Sequence, residues 1–99
     1  MDGLSFHRLA ERELLDSATF YDIESTGLGG SFIDEVESCS QRILEHPEAG
    51  QIILGTVRRR LLRRFPYALL YSISSQGIRI LAVMNLKRRP MYWVGRVEE

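Results

Sequence analysis

The spacing of apolar residues changes halfway along this chain, and that change limits the folds open to it. In the first half Ala10, Leu14, Ala18 and Tyr21 recur every three or four residues, the stripe of an amphipathic helix. Leu9, Leu15 and Phe20 widen the stripe, while Glu11, Glu13, Asp16 and Asp22 take polar positions, so the spacing predicts a helix from Leu9 to Ser25. Thr26-Gly27-Leu28-Gly29-Gly30 breaks it, because glycine admits the positive φ of a tight reversal. Ser31 is expected to cap a second helix bearing Phe32, Val36, Cys39 and Ile43, with Leu44 beside them. Pro47 stops that helix, since a proline disfavours helix at the residue before it.

Beyond Gln51 the period falls to two. Val57, Leu61 and Phe65 alternate loosely with arginines. Tyr67, Leu69, Tyr71 and Ile73 alternate more cleanly, as do Ile78, Ile80, Ala82 and Met84. Ser74-Ser75-Gln76-Gly77 joins these last two strands into a hairpin. Leu81 and Val83 make the last strand apolar on both faces, so it belongs in the sheet interior. Leu4 to His7 reads as a short first strand. Met91-Tyr92-Trp93 is expected to end the ordered chain.

The expected fold is α+β, in the order β-α-α-β-β-β. A helical hairpin should pack on one face of a twisted, mainly antiparallel sheet, forming one domain over residues 1–99. The other sheet face is expected to stay open as a concave, partly basic surface.

The net charge of zero conceals two opposed halves. Residues 1–50 hold three Lys or Arg against eleven Asp or Glu, a balance of −8. Residues 51–99 hold ten against two, a balance of +8. A surface built from the second half attracts acidic protein or phosphate. Cys39 is the one cysteine, which excludes an internal disulfide and a multi-cysteine metal site and fits a reducing cytoplasm. The opening residues lack the basic start and apolar run of a secretory leader, and no stretch stays apolar for the ~20 residues of a membrane span. The expectation is a cytoplasmic protein that needs no cofactor and binds no metal.

Two clusters carry the candidate binding chemistry. Arg58-Arg59-Arg60-Leu61-Leu62-Arg63-Arg64 places five arginines in seven positions, and Lys87-Arg88-Arg89 follows the last strand. On a continuous strand Arg58, Arg60 and Arg64 would share one face, with Arg59 and Arg63 on the other. Guanidinium forks bind carboxylates and phosphates in pairs. Any single arginine is equally explained as a solvated edge that discourages aggregation; the two clusters together favour a binding role. Tyr92 and Trp93 stand beside them. Trp93 reads more strongly as an apolar lock for the tail, whereas Tyr92 is open to either role. Tyr67 and Tyr71 read as core residues with hydroxyls at the rim, and Cys39 as a buried thiol. His7 and His46 read as surface or capping histidines. No nucleophile–histidine–acid triad or paired-carboxylate site is evident, and no strand leads into Gly27–Gly30 as a phosphate loop requires.

Several of these segments resemble the RelE/ParE superfamily of bacterial type II toxin–antitoxin toxins. Ala10-Glu11-Arg12-Glu13-Leu14 is similar to its first-helix start. Thr26-Gly27-Leu28-Gly29 with Phe32, and Ile43-Leu44-Glu45-His46-Pro47, are similar to the helix turn and second-helix end. Arg63-Arg64-Phe65-Pro66-Tyr67 with Tyr71 looks like the middle-strand motif. Ile78-Arg79-Ile80-Leu81-Ala82-Val83 and Arg89-Pro90 with Tyr92-Trp93 look like the last strand and tail. The resemblance implies a toxin neutralised by a cognate acidic antitoxin in a hetero-oligomer. RelE-like members cut messenger RNA on the ribosome, and here Arg60, Arg63, Arg88 and Tyr92 would fill that role. ParE-like members inhibit DNA gyrase as binders. Ala68 stands where RelE-like chains carry an arginine, and Asn85 where many ParE-like chains carry a histidine. The resemblance therefore implies a gyrase inhibitor first, a ribonuclease second, and a non-toxic antitoxin-binding member third. The implied contacts with target or antitoxin are Arg58, Arg60, Arg63, Arg64, Lys87, Arg88, Arg89, Tyr92 and Trp93. The antitoxin's acidic segment is expected to cross the arginine-rich side of the sheet.

Overall fold

A computed structural model describes residues 2–99. Strand β1 (Leu4–Phe6) leads into helices α1 (Arg8–Glu24) and α2 (Leu28–Glu45), and strands β2 (Gln51–Leu54), β3 (Val57–Leu61), β4 (Tyr67–Ser74) and β5 (Gly77–Asn85) follow. The sheet has five strands in the order β1-β5-β4-β3-β2, antiparallel except for the β1–β5 pair. The α+β class and the helical hairpin agree with the sequence reading. The order is β-α-α-β-β-β-β, one strand more than expected. Strand β2 was not anticipated, because Ile52-Ile53-Leu54 is a short apolar run with no alternation.

The helix ends follow from side chains that satisfy free backbone N–H groups. His7 caps α1, its Nδ1 accepting the Leu9 N–H at 3.0 Å. Helix α2 begins at Leu28, four residues before the start implied by a Ser31 cap. Gly27 reverses the chain at φ 89°, and Asp22 of α1 accepts the Gly29 N–H at 2.8 Å. The capping group thus comes from the neighbouring helix. Ser31 lies inside α2, with its hydroxyl turned back to the Gly27 carbonyl. Pro47 ends α2 as expected, with His46 at the C-cap.

The face of the sheet beneath the helices holds the larger core. Leu69, Tyr71, Ile80 and Val83 pack there against Ala10, Phe32, Val36, Cys39 and Ile43. Tyr71 is wholly buried, and its hydroxyl donates to the Pro47 carbonyl at 2.6 Å. A bulge in β5 shifts the pairing between Leu70–Ala82 and Tyr71–Ile80. Leu81 and Ala82 therefore both pack on the side away from the helices, and Val83 turns back beneath them. This reverses the faces expected for Ala82 and Val83.

The face away from the helices is not an open basic concavity. Val57, Ala68, Leu70, Leu81 and Ala82 form a second apolar layer there, closed by Trp93, which is 2% exposed. The chain does not stop being ordered at Trp93. A 3-10 turn (Val94–Glu98) follows and completes a strap across that face. Arg96 anchors the strap on Glu13 at 2.8 Å, and Glu99 meets His7 Nε2 at 2.6 Å. Among the described residues no helix is long and apolar enough to cross a membrane, and no group of three or more His, Cys, Asp or Glu could hold a metal.

Candidate functional site

Strand β3 stops at Leu61, so its arginine run divides. Phe65 leaves the strand line and packs against Tyr21 and Phe32 at ring separations of 5.0 and 5.1 Å. Glu35 of α2, itself buried, accepts the Arg63 N–H at 3.4 Å and the Arg64 Nε–H at 3.3 Å. Arg63 and Arg64 thus lie on the loop between β3 and β4, not on the strand face expected for them. The segment after β5 reaches the same end of the sheet, where the Leu86 N–H donates to the Pro66 carbonyl at 2.9 Å. Asn85 shapes this second loop. Its Oδ1 accepts the Lys87 N–H at 2.8 Å and its carbonyl accepts the Arg88 N–H at 3.0 Å. The position that carries a histidine in many ParE-like chains here fixes a turn.

Arg63, Arg64, Lys87, Arg88 and Arg89 are consequently gathered on two adjoining loops at one end of the sheet, all exposed. Among the described residues only Arg64 of the five makes an ion pair. Arg88 stacks over the Tyr92 ring, 4.0 Å from its centroid. Tyr92 is held in turn by Glu13, to which its hydroxyl donates at 2.8 Å. Burial, then the Glu13 hydrogen bond, push the Tyr92 phenol well above its ordinary range. That tyrosine keeps its proton and orients an arginine.

The remaining arginines lie elsewhere. Arg58 and Arg60 pair across from Tyr71 and Leu69 and so share the helix-bearing face. Arg58 donates to the carbonyls of Glu48 and Gly50, both at 2.9 Å, and serves the chain's own backbone. Arg60 is half-buried, with an Nη1 that has no partner. Its charge, after that of Arg42, opposes the rise that burial causes in the Cys39 thiol. Arg59 faces the other way and donates to Gln51 Oε1 at 2.8 Å. Trp93 is buried in the second apolar layer and offers no surface to a partner.

The sequence reading gave no role to Glu13, Arg96 or Asp22 beyond polarity or charge. Glu13 accepts the Val83 N–H at 3.0 Å and pairs with Arg96, which also donates to the Leu81 carbonyl at 3.1 Å. These contacts satisfy the edge of β5 beyond the end of β1. Nothing in the helical stripe marks Glu13, because the partners come from residues 70 to 83 positions away.

A second surface lies at the opposite end of the sheet. Leu54, Val57, Val94 and Val97 line a mainly apolar groove of about 570 Å³ between the β2–β3 turn and the strap. Leu54, Val94 and Val97 are each about two-fifths exposed there, at 42%, 38% and 41%.

The model for the ParE toxin of the type II toxin–antitoxin system parDE matches residues 4–90. The chain belongs to the ParE toxin family. A solved structure described as a chromosomal ParDE toxin–antitoxin system from P. aeruginosa is similar in fold. It has a TM-score of 0.75 at 18% identity, covering 86% of this chain and 96% of that one. No curated protein matches the sequence. The ParE family match spans both the Arg63–Arg64 loop and the Lys87–Arg89 loop, and stops at Pro90, where the strap begins.

Proposed function

We propose that this ParE-family toxin inhibits DNA gyrase by binding, not by cutting RNA, and is neutralised in the cytoplasm by an acidic antitoxin. The carrying observation is that Arg60 stands apart from the other three residues a ribonuclease reading needs. Arg60 lies on the helix-bearing face, whereas Tyr92 packs against the second layer on the other face. Arg63 sits on the β3–β4 loop, and Arg88 stacks on Tyr92. A phenol held protonated by burial and Glu13 is a poor general base. Ala68 removes a further cation from the sheet and is itself wholly buried.

The antitoxin reading rests on the apolar groove. An amphipathic antitoxin helix would set its apolar side against Leu54, Val57, Val94 and Val97, with its acids meeting Arg59. This replaces the expected path across an arginine-lined sheet face, because that face is apolar and strapped. Charge complementarity speeds such an association and makes it salt-sensitive.

The purified chain should inhibit supercoiling of relaxed plasmid by gyrase and leave ribosomal toeprints unchanged. Undiminished supercoiling at large molar excess excludes gyrase as the target. New codon-specific toeprints would return the ribonuclease reading.

A further inference from the structure

Five exposed cations on two adjoining loops invite a polyanion, and the geometry narrows its kind. The loops leave the ends of β3 and β5, whose strand lines lie two strand spacings apart on either side of β4. That is roughly 10 Å, comparable to the roughly 12 Å width of a DNA major groove. Two loops so placed reach phosphates on both walls of one groove.

The same end is poorly suited to an acidic peptide. Strand addition needs a free backbone edge, but the N–H groups of Leu62, Tyr67, Leu86, Lys87 and Arg88 are all spent within the chain. Helix docking needs an apolar groove, and that groove opens at the other end of the sheet, beside Leu54 and Val97. The carboxylates nearest the cations, Asp34 and Glu35 on α2 with Glu13 and Asp16 on α1, all stand on the helix side. A polyanion is therefore admitted from beyond the loops and turned away from the helices. The cations are also held ready. Asn85 fixes the Lys87–Arg88 turn, Glu35 the Arg63–Arg64 loop, and Tyr92 the Arg88 plane.

We infer that the end formed by Arg63, Arg64, Lys87, Arg88 and Arg89 grips the phosphate backbone of duplex DNA without reading its sequence. This goes beyond gyrase inhibition and does not depend on it, because the contact is with DNA alone. Phosphate contacts position a protein, and base-edge contacts specify sequence. The loops carry no Asn or Gln free to read adenine, because the Asn85 side chain is committed to its turn. A protein making about four phosphate contacts loses affinity with a log–log salt slope near −3.6, about a hundredfold between 50 and 200 mM salt.

The test is fluorescence anisotropy of a labelled duplex of mixed sequence, with no gyrase present. The side chains of Arg63 and Arg89 have no hydrogen bond or ion pair among the described residues, so the double variant R63E/R89E should melt at the parental temperature. It should bind the duplex at least tenfold more weakly and flatten the salt slope by about two, one per lost contact. The variant L54E, at the opposite end, should bind DNA as the parent does. Scrambling the duplex sequence should change nothing. An unaltered affinity in R63E/R89E, or no measurable binding by the parent at 50 mM salt, overturns the inference. So does displacement of the duplex by polyglutamate at equal charge, which would give this end to an acidic protein instead. Loss of gyrase inhibition with DNA binding intact would overturn only the gyrase reading.

Discussion

Glu13 occupies the place where a neighbouring strand would otherwise pair with β5. Strand β1 ends at Phe6, and the His7 N–H makes the last bond, to the Ile80 carbonyl. Beyond it the Val83 N–H and the Leu81 carbonyl face a helix that has no free backbone to offer. Glu13 and Arg96 supply the missing acceptor and donor. Burial works against the Arg96 cation, but its hydrogen bond and charge contact with Glu13 outweigh that and raise its pKa. Removing either partner of this largely buried pair leaves the other charge without its counter-charge and destabilises the fold. Tyr92 completes the cluster, and its raised pKa has a consequence for stability. The folded state holds a phenolic proton that the unfolded chain releases near pH 10. The stability this confers is whole below that pH and is lost as pH rises toward the folded value. Chemical denaturation across pH 8 to 11 should therefore show a first decline in stability from about pH 9, where the raised Cys39 thiol contributes, and a steeper one above about pH 10. Tyr92→Phe should make the decline shallower without abolishing it, since burial also raises Tyr71 and Tyr21. An identical decline in the variant would remove Tyr92 from the linkage.

At the scale of elements, the contact between α1 and α2 depends on a missing side chain. A Cβ at Gly29 would fall 2.3 Å from the Ala18 carbonyl oxygen, which is helix backbone and cannot swing aside. Gly29→Ala should force the hairpin apart and destabilise the fold by about 1–3 kcal/mol, read as a lower urea midpoint. Gly30→Ala is the control, since nothing lies within 4 Å of its Cβ position. It should be neutral or mildly stabilising, as alanine favours helix. These elements were legible in the sequence to different depths. The stripes of α1 and α2 and the β4–β5 hairpin follow from period alone, because local spacing decides which face is buried. The stripe was drawn too wide, however, since Leu15 and Phe20 are over half exposed at 53% and 55%. The start of α2 was misplaced because its cap is Asp22, seven residues upstream and on another helix. The β5 bulge was invisible because residues on both of its faces are apolar. The sequence shows two cationic clusters that can converge at one sheet edge if their strands are neighbours; they meet instead on loops at one end of the sheet. Where they meet depends on where β3 stops, which Phe65 and Glu35 decide through α1 and α2.

Over the whole molecule, charge and apolar surface are segregated to opposite ends of one sheet. The strap makes this possible. It leaves β5 beside the basic loops, buries Trp93, lines the groove opposite the β2–β3 turn with Val94 and Val97, and ends with Glu99 on His7, so one segment borders both surfaces. The two ends should then be separable by mutation, since effects at well-separated sites with no shared partners add nearly independently. L54E puts a charge into the apolar groove and should weaken capture by the antitoxin while leaving toxicity in place. Cells expressing it together with the antitoxin should arrest. R63E/R89E should show the reverse, keeping antitoxin capture in a pull-down but losing potency against growth. Two variants that fail in the same assay, with melting temperatures unchanged, would mean that a single surface serves antitoxin and target. If L54E cells grow normally with the antitoxin and arrest without it, the groove is not where the antitoxin binds. The assignment of the groove would then move to the outer face of α1, where Leu15, Phe20 and Ile23 are exposed.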